Sequence, residues 1–168
     1  MAQDICVPVG EGYVNVRVGA IIRKEGRVLM VTNDDVNYCY SVGGRIQIGE
    51  SAEDAVRREV FEETGCHLEI DRLGFIHEDF FRGDMGEKMG KLIYEIAFYF
   101  YMKTPTDFEP HCESLTEEGR GEYLEWISPD TEKKIYPAFF RTELAQPVPY
   151  VRHIVTDERG NKNELDIT

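Results

Sequence analysis

The amino-acid sequence predicts an α/β fold in which a mixed β-sheet lies between helices. Three observations support this prediction: β-rich segments stand both before and after one long amphipathic helix, a long strand with two apolar faces follows, and a second helix is placed late in the chain. Strands and helices in this order pack as layers around a shared core. At 168 residues, the chain is expected to form one domain over 1–168, with an N-terminal segment 1–12 and a flexible tail 157–168.

The strands before the long helix are indicated by runs of β-branched and aromatic residues. We predict strands over 14–23 and 27–32, joined by a hairpin turn at Lys24-Glu25-Gly26, and a short strand over 38–42 that leads into a pair of glycines.

The segments after the helix contain the strongest strand of the chain, over 91–103. Both of its faces are largely apolar, which is typical of a central strand covered on both sides. The remaining elements are predicted to be strands over 68–71, 73–81, 122–127 and 151–156, loops over 82–90 and 104–121, and short helices over 131–134 and 138–144.

The long helix is predicted over residues 52–64. Ser51 is a favourable N-cap, and Asp54 stands three residues later, as in a shortened capping box. No Pro or Gly interrupts the segment before Gly65, which is suited to end a helix as its C′ residue. Apolar residues recur at every fourth position and predict a narrow stripe that packs on a sheet (Ala52, Val56 and Val60).

Three glutamates cluster on this helix. Glu59, Glu62 and Glu63 are related by i, i+3 and i+4 spacing, so their side chains converge on one face. Carboxylates held this close repel one another unless a cation lies among them, and oxygen ligands suit hard ions such as Mg²⁺ or Mn²⁺. A solvated acidic face explains the triplet equally well when the triplet is considered alone.

The residues around the triplet favour the metal site. They form the string Gly44, Glu50, Arg58, Glu59, Val60, Glu62, Glu63 and Gly65. In this string the chain resembles the Nudix hydrolase family, whose box reads G-x5-E-x7-R-E-U-x-E-E-x-G-U, where U is a bulky apolar residue. Two positions depart mildly from the family: Cys66 replaces the usual final aliphatic residue, and Val42 stands where many members have Pro before the double glycine.

The resemblance implies a Nudix-like α/β/α sandwich and a metal-dependent pyrophosphohydrolase that uses Mg²⁺, with Mn²⁺ possible. It implies that the metal ligands are the Gly44 carbonyl, Glu59, Glu62 and Glu63, and that Glu62 and Glu63 matter most for catalysis. Arg58 is expected to orient a glutamate, Glu50, through a charge-assisted pair. Many family members supply a further carboxylate from a loop after the long strands, where Glu117 and Glu118 are candidates for the general base. The alternative base is Glu62 or Glu63 itself.

The substrate is expected to be a small nucleotide. Three arginines are candidates for binding its phosphates: Arg45, beside the glycine turn, and Arg17 and Arg23, on the first long strand. Markers that distinguish family subclasses are absent, so the prediction stays at a nucleoside diphosphate linked to another moiety, or a nucleoside triphosphate. Two alternatives are a non-catalytic nucleotide-sensing domain and a hydrolase of RNA 5′ ends.

Composition excludes some classes of function. The net charge of −13 argues against a large nucleic-acid footprint and against an anionic membrane surface, while a metal and a few local cations still allow a phosphorylated small molecule. The four cysteines and four histidines show no metal-ligand spacing, and no apolar run is long enough to span a membrane. We therefore expect a reduced, cytoplasmic protein. A homodimer is possible through the segment Ile5 to Val9 and the aromatic strands.

Overall fold

The computed structural model describes residues 3–34, 36–84, 86–111 and 121–159. The elements in these ranges are β1 (Cys6–Val9), β2 (Gly12–Ile21), β3 (Arg23–Lys24), β4 (Arg27–Asn33), β5 (Tyr38–Ser41), α1 (Ala52–Thr64), β6 (Ile70–Arg82), a 3-10 turn (Gly86–Lys88), β7 (Leu92–Met102), β8 (Glu122–Ile127), β9 (Lys134–Tyr136), α2 (Phe140–Glu143) and β10 (Arg152–Asp157). In these ranges no helix is long and apolar enough to cross a membrane.

The first sheet has the strand order β1-β2-β7-β6-β10. Strand β7 pairs in parallel with β2 and antiparallel with β6, and β10 pairs in parallel with β6. The predicted central strand is therefore confirmed: β7 has a neighbour on each side, and its own residues alternate between two apolar layers. Strand β1 lies within the predicted N-terminal segment and adds an edge to the sheet.

The second sheet is built around β4, which pairs antiparallel with β3, β5 and β8, while β9 pairs in parallel with β5. The chain that follows β5 then returns to the first sheet. Val18 N donates to Gly44 O at 2.9 Å and Ala20 N donates to Val42 O at 2.8 Å, so the glycine turn is fixed along the edge of β2. This pairing sets the position of the turn relative to both sheets.

Two apolar layers cover the first sheet. Val56 and Val60 of α1 pack in one cluster with Phe100 of β7, and Phe140 of α2 packs in the other cluster with Tyr99 of β7. Because neighbouring residues of a strand point to opposite faces, helices α1 and α2 lie on opposite sides of β7. The predicted α/β/α arrangement with mixed sheets is confirmed.

Local predictions differ in accuracy. Helix α1 has the predicted bounds: the Asp54 amide donates to Ser51 Oγ at 3.1 Å, and Gly65 has φ +68°. The separate strands predicted over 68–71 and 73–81 are one strand, β6, with irregular register near Gly74. The helix predicted over 131–134 is wrong, because this segment leads into β9, which gains backbone partners on β5. Helix α2 is shorter than predicted, at Phe140–Glu143.

Candidate active site

The site is built on the glycine pair between β5 and α1. At Gly43, φ is +141° and an added Cβ would lie 2.2 Å from Val18 O, so no other residue fits without moving backbone. At Gly44 an added Cβ would lie 2.4 Å from Oε1 and 2.6 Å from Oε2 of Glu59. The missing side chains thus allow the Glu59 carboxylate to lie directly against the turn.

Glu63 is the most buried acidic residue of the site, at 7 % exposed. The Gly43 amide donates to its carboxylate at 3.3 Å and 3.4 Å to the two oxygens. Burial, followed by the charges of Glu59 and Glu122, raises the pKa of Glu63 well above its usual range. Burial likewise raises the pKa of Glu59, although Arg58 opposes this effect. Two desolvated carboxylates therefore lie side by side at an energetic cost.

Arg58 connects the other acidic residues. Its Nε and Nη2 donate to the two oxygens of Glu50 at 2.8 Å and 2.9 Å, and its Nη1 donates to Glu59 at 2.6 Å and to Glu62 at 3.2 Å. Nη2 also donates to Arg45 O at 3.0 Å. The hydrogen bonds from Arg58 lower the pKa of Glu50, whose carboxylate also accepts from a backbone amide of the loop. The predicted contact between Arg58 and Glu50 is present in bidentate form.

The donor set suits a hard divalent cation in its chemistry. Glu59 and Glu63 supply partly desolvated carboxylate oxygens, and Gly44 O keeps one lone pair after accepting from Val18 N. Among the described residues, no group of three carboxylate, imidazole or thiol side chains converges on one point. Glu62 lies outward, 53 % exposed, and pairs with Arg58. Mg²⁺ takes only one or two carboxylates and completes its shell with water and phosphate, so the set fits such an ion.

The three candidate phosphate-binding arginines are placed differently. Arg17 and Arg45 face each other across an isolated antiparallel bridge, and Arg45 pairs with Asp4 at 3.7 Å. Desolvation lowers the pKa of Arg17, but the charges of Glu95, Glu63 and Glu59 contribute to a net increase, which shows that it lies near the glutamates. Arg23 lies in β3, six residues beyond Arg17, which corresponds to about 20 Å of extended chain. The structure does not bring Arg23 to the site.

The candidate bases Glu117 and Glu118 lie outside the described residues. Sequence reasoning missed Glu122, the first residue of β8, although it belongs to the same region of the chain. Its carboxylate accepts from Tyr40 Oη at 2.5 Å, and its charge contributes to the raised pKa of Glu63. A signal was available: Glu122 is the acidic residue at the point where the predicted loop 104–121 enters a strand.

Replacing Arg58 with Lys is expected to lower kcat/KM about 10- to 100-fold, since an ammonium group cannot reproduce the planar fork that fixes Glu50 and Glu59. Steady-state kinetics at saturating Mg²⁺ measure this loss. Arg57→Lys is the matched control, because Arg57 pairs with Glu53 and Asp54 on the exposed face of the same helix. Equal activity in the two variants would contradict an orienting role for Arg58.

Comparison with known proteins agrees with the fold. The model of the NUDIX domain matches residues 14–145. A MutT-like protein from Streptomyces ambofaciens is 35 % identical over 65 residues, which are 39 % of this chain and 42 % of that protein. The match therefore spans less than half the length of that relative.

Two solved structures share the fold at low identity. A mutator MutT protein from Bacillus halodurans has a TM-score of 0.57 at 20 % identity, over 88 % of this chain and 92 % of its own. An ADP-ribose pyrophosphatase from Streptococcus suis has a TM-score of 0.57 at 18 % identity, over 84 % of this chain and 98 % of its own.

The domain match over residues 14–145 agrees with the glycine turn and the glutamate-bearing helix described above, and it defines the class of domain. The chain belongs to the NUDIX family.

Proposed function

We propose that this protein is a metal-dependent pyrophosphohydrolase that cleaves a nucleoside diphosphate linked to another moiety, or a nucleoside triphosphate, by attack of water on phosphorus. The observation that carries the proposal is the pair of partly desolvated carboxylates, Glu59 and Glu63, held against the glycine turn. Such a pair is unfavourable in a resting protein and is typical of a functional site.

Each charged residue around the pair has a proposed task. Gly44 O, Glu59, Glu62 and Glu63 would hold the cation, with Glu62 rotating away from Arg58 to do so. Bound there, Mg²⁺ would neutralise charge on the pyrophosphate and acidify the attacking water. Arg58 keeps Glu50 and Glu59 in fixed orientations. Arg17 and Arg45, which face each other across a backbone bridge, would pair with phosphate oxygens.

Glu122 is proposed as the further carboxylate near the reacting atoms. Tyr40 fixes its position through a hydrogen bond, and the influence of its charge on Glu63 shows that the two acids are close. A carboxylate in this place would accept a proton from water. Glu62, Glu63 and the loop residues Glu117 and Glu118 stay candidates for the same task. The cytoplasmic location and the homodimer stay predictions from composition.

A hydrolysis screen tests the proposal. Nucleoside triphosphates, nucleotide sugars, dinucleoside polyphosphates and ADP-ribose are each incubated with the protein and Mg²⁺, and the products are separated by anion-exchange chromatography. We expect Mg²⁺-dependent release of a nucleoside monophosphate from at least one class, and loss of that release in the double variant Glu62→Gln, Glu63→Gln. Tight nucleotide binding without turnover of any class would instead indicate a nucleotide-sensing domain.

A further inference from the structure

A row of polar side chains crosses the first sheet on the face that carries Tyr99. Asn15 of β2 is opposite Glu95 of β7, Glu95 is opposite Asp79 of β6, and Asp79 is opposite Thr156 of β10. Residues at paired positions of neighbouring strands share a face and lie about 5 Å apart. Asn15 Nδ2 donates to Glu95 Oε2 at 2.6 Å, which confirms the contact for the first pair. Four strands thus contribute to one continuous polar row.

The row contains buried polar atoms that lack partners. Asn15 is 5 % exposed, and its Oδ1 has no hydrogen-bond partner among the residues that the structure describes. Within the same described ranges, Asp79 Oδ1 and Nδ1 of the adjacent His77 are buried without a partner. Burial, followed by the charges of Glu158 and Glu95, raises the pKa of Asp79 to about 7, although a hydrogen bond from the Phe80 backbone amide opposes this increase. Folded proteins rarely leave such groups unpaired, so the row is suited to receive a ligand.

The row begins beside the proposed phosphate site. Arg17 lies two residues from Asn15 on the same face of β2, a separation of about 7 Å. Its guanidinium is 4.0 Å from Glu95, and the charges of Glu59 and Glu63 also act on it. A nucleotide whose phosphates pair with Arg17 would therefore extend its next groups along the row.

The chemistry of the row restricts what can bind. Asn15 Oδ1 and the carboxylates of Glu95 and Asp79 are acceptors, and two carboxylates repel a further phosphate group. Beside the row, His77 and Tyr99 lie with Phe139 in an aromatic cluster, at ring separations of 5.0 Å and 5.6 Å from Phe139. Acceptors next to aromatic rings suit a flat heterocycle that carries N–H donors.

We propose that Asn15, Glu95 and Asp79 bind the base of the substrate and select a base whose edge carries two adjacent N–H donors, as guanine does. The proposal rests on the proposed function in taking the ligand to be a nucleotide. It adds a substrate class that the metal site does not specify.

Nucleotide binding without turnover tests the proposal. Wild-type protein in excess EDTA is titrated with GDP, IDP and ADP, which share ribose and phosphates and differ only in the base, and binding is followed by NMR. We expect GDP to bind about tenfold more tightly than IDP, which lacks one amino donor, and about 100-fold more tightly than ADP. Equal affinities for the three nucleotides would overturn the proposal, since a site for the ribose or phosphates alone does not distinguish them.

Substitutions in the polar row test whether its residues cause the preference for GDP over IDP. Asp79→Asn replaces an acceptor oxygen with a donor and is expected to reduce the preference for GDP over IDP to about twofold or less. Glu78→Gln is the matched control on the opposite face of β6, where Glu78 accepts from Tyr94 at 2.5 Å, and should keep the wild-type preference. If Asp79→Asn does not fold, Asn15→Ser tests the same row. An unchanged preference in the folded row variant would overturn the assignment.

The binding and hydrolysis experiments can contradict the two proposals independently of each other. Selective binding of GDP without hydrolysis of any nucleotide would contradict the proposed function and support base recognition by the row. Mg²⁺-dependent hydrolysis with equal binding of GDP, IDP and ADP would support the proposed function and overturn the role of Asn15, Glu95 and Asp79.

Discussion

Replacing Glu63 with Gln is expected to lower kcat about 10³-fold and, at the same time, to stabilise the metal-free protein. Activity falls because Gln removes a negative charge that is proposed to hold the cation. Stability rises because Glu63 is a 7 % exposed carboxylate next to Glu59 and Glu122, and Gln keeps an oxygen that accepts from the Gly43 amide. A gain of about 1–2 kcal/mol is typical when a strained functional group is relieved, and corresponds to an increase in Tm of about 2–8 °C.

The stabilisation should depend on pH in a defined direction. Burial raises the pKa of Glu63, so the folded state holds its proton more tightly than the unfolded state does. The proton-linked stability is fully present below the unfolded pKa of about 4.3 and is lost as pH rises through the folded pKa. The Gln variant has no such loss. The difference in Tm between Glu63→Gln and wild type should therefore be small at pH 4 and should grow as pH rises.

Glu62→Gln is the matched control for this prediction. Glu62 belongs to the same proposed ligand set, but its side chain is 53 % exposed. Its replacement should lower activity without an increase in Tm. Thermal melts in EDTA from pH 4 to pH 9, with kinetics at saturating Mg²⁺, separate the two effects. An active Glu63→Gln enzyme, or one that is destabilised at every pH, would contradict the assignment of Glu63 as a strained ligand.

The parts of the site that follow from local sequence were predictable. The bounds of α1 depend on Ser51, Asp54 and Gly65, which act within one helical turn of each end. The pairing of Arg58 with Glu50 was expected from the family resemblance, and the structure has that contact. Short-range signals of this kind need no knowledge of the tertiary fold.

The parts that depend on strand register were not predictable. Asn15 meets Glu95 because β2 and β7 pair in parallel across 80 residues, and no local pattern sets that register. The error at 131–134 has the same cause, since β9 is stabilised by pairing with the distant β5. Glu122 approaches Glu63 only because β8 pairs with β4 and brings it beside Tyr40.

Replacement by Ala should affect different properties at the two adjacent glycines of the turn: activity at Gly44 and folding stability at Gly43. Gly44→Ala is expected to fold and to lose about 100-fold in kcat/KM, whereas Gly43→Ala is expected to lose roughly 4 kcal/mol of folding stability. At Gly43 the new Cβ would lie 2.2 Å from Val18 O and 2.8 Å from Gly19 Cα, and φ is +141°. Both neighbours are backbone atoms of β2, which cannot move without disturbing the sheet.

At Gly44 the new Cβ meets only the end of a side chain. It would lie 2.4–2.6 Å from the carboxylate atoms of Glu59, which can rotate away if its 2.6 Å hydrogen bond to Arg58 breaks. The fold is then kept, but Glu59 leaves the position that is proposed for binding a cation. Urea denaturation measures the first effect, and kinetics with a Mg²⁺ titration measure the second.

A double-mutant cycle decides whether Gly44 acts through Glu59. If it does, Gly44→Ala should have little further effect on kcat/KM in a Glu59→Gln background, because the group that it displaces has already lost its charge. Additive losses would mean that Gly44 contributes separately, for example through its carbonyl oxygen. The cycle thus distinguishes a glycine that makes room for a ligand from a glycine that is a ligand, using two residues that the sequence already placed in one site.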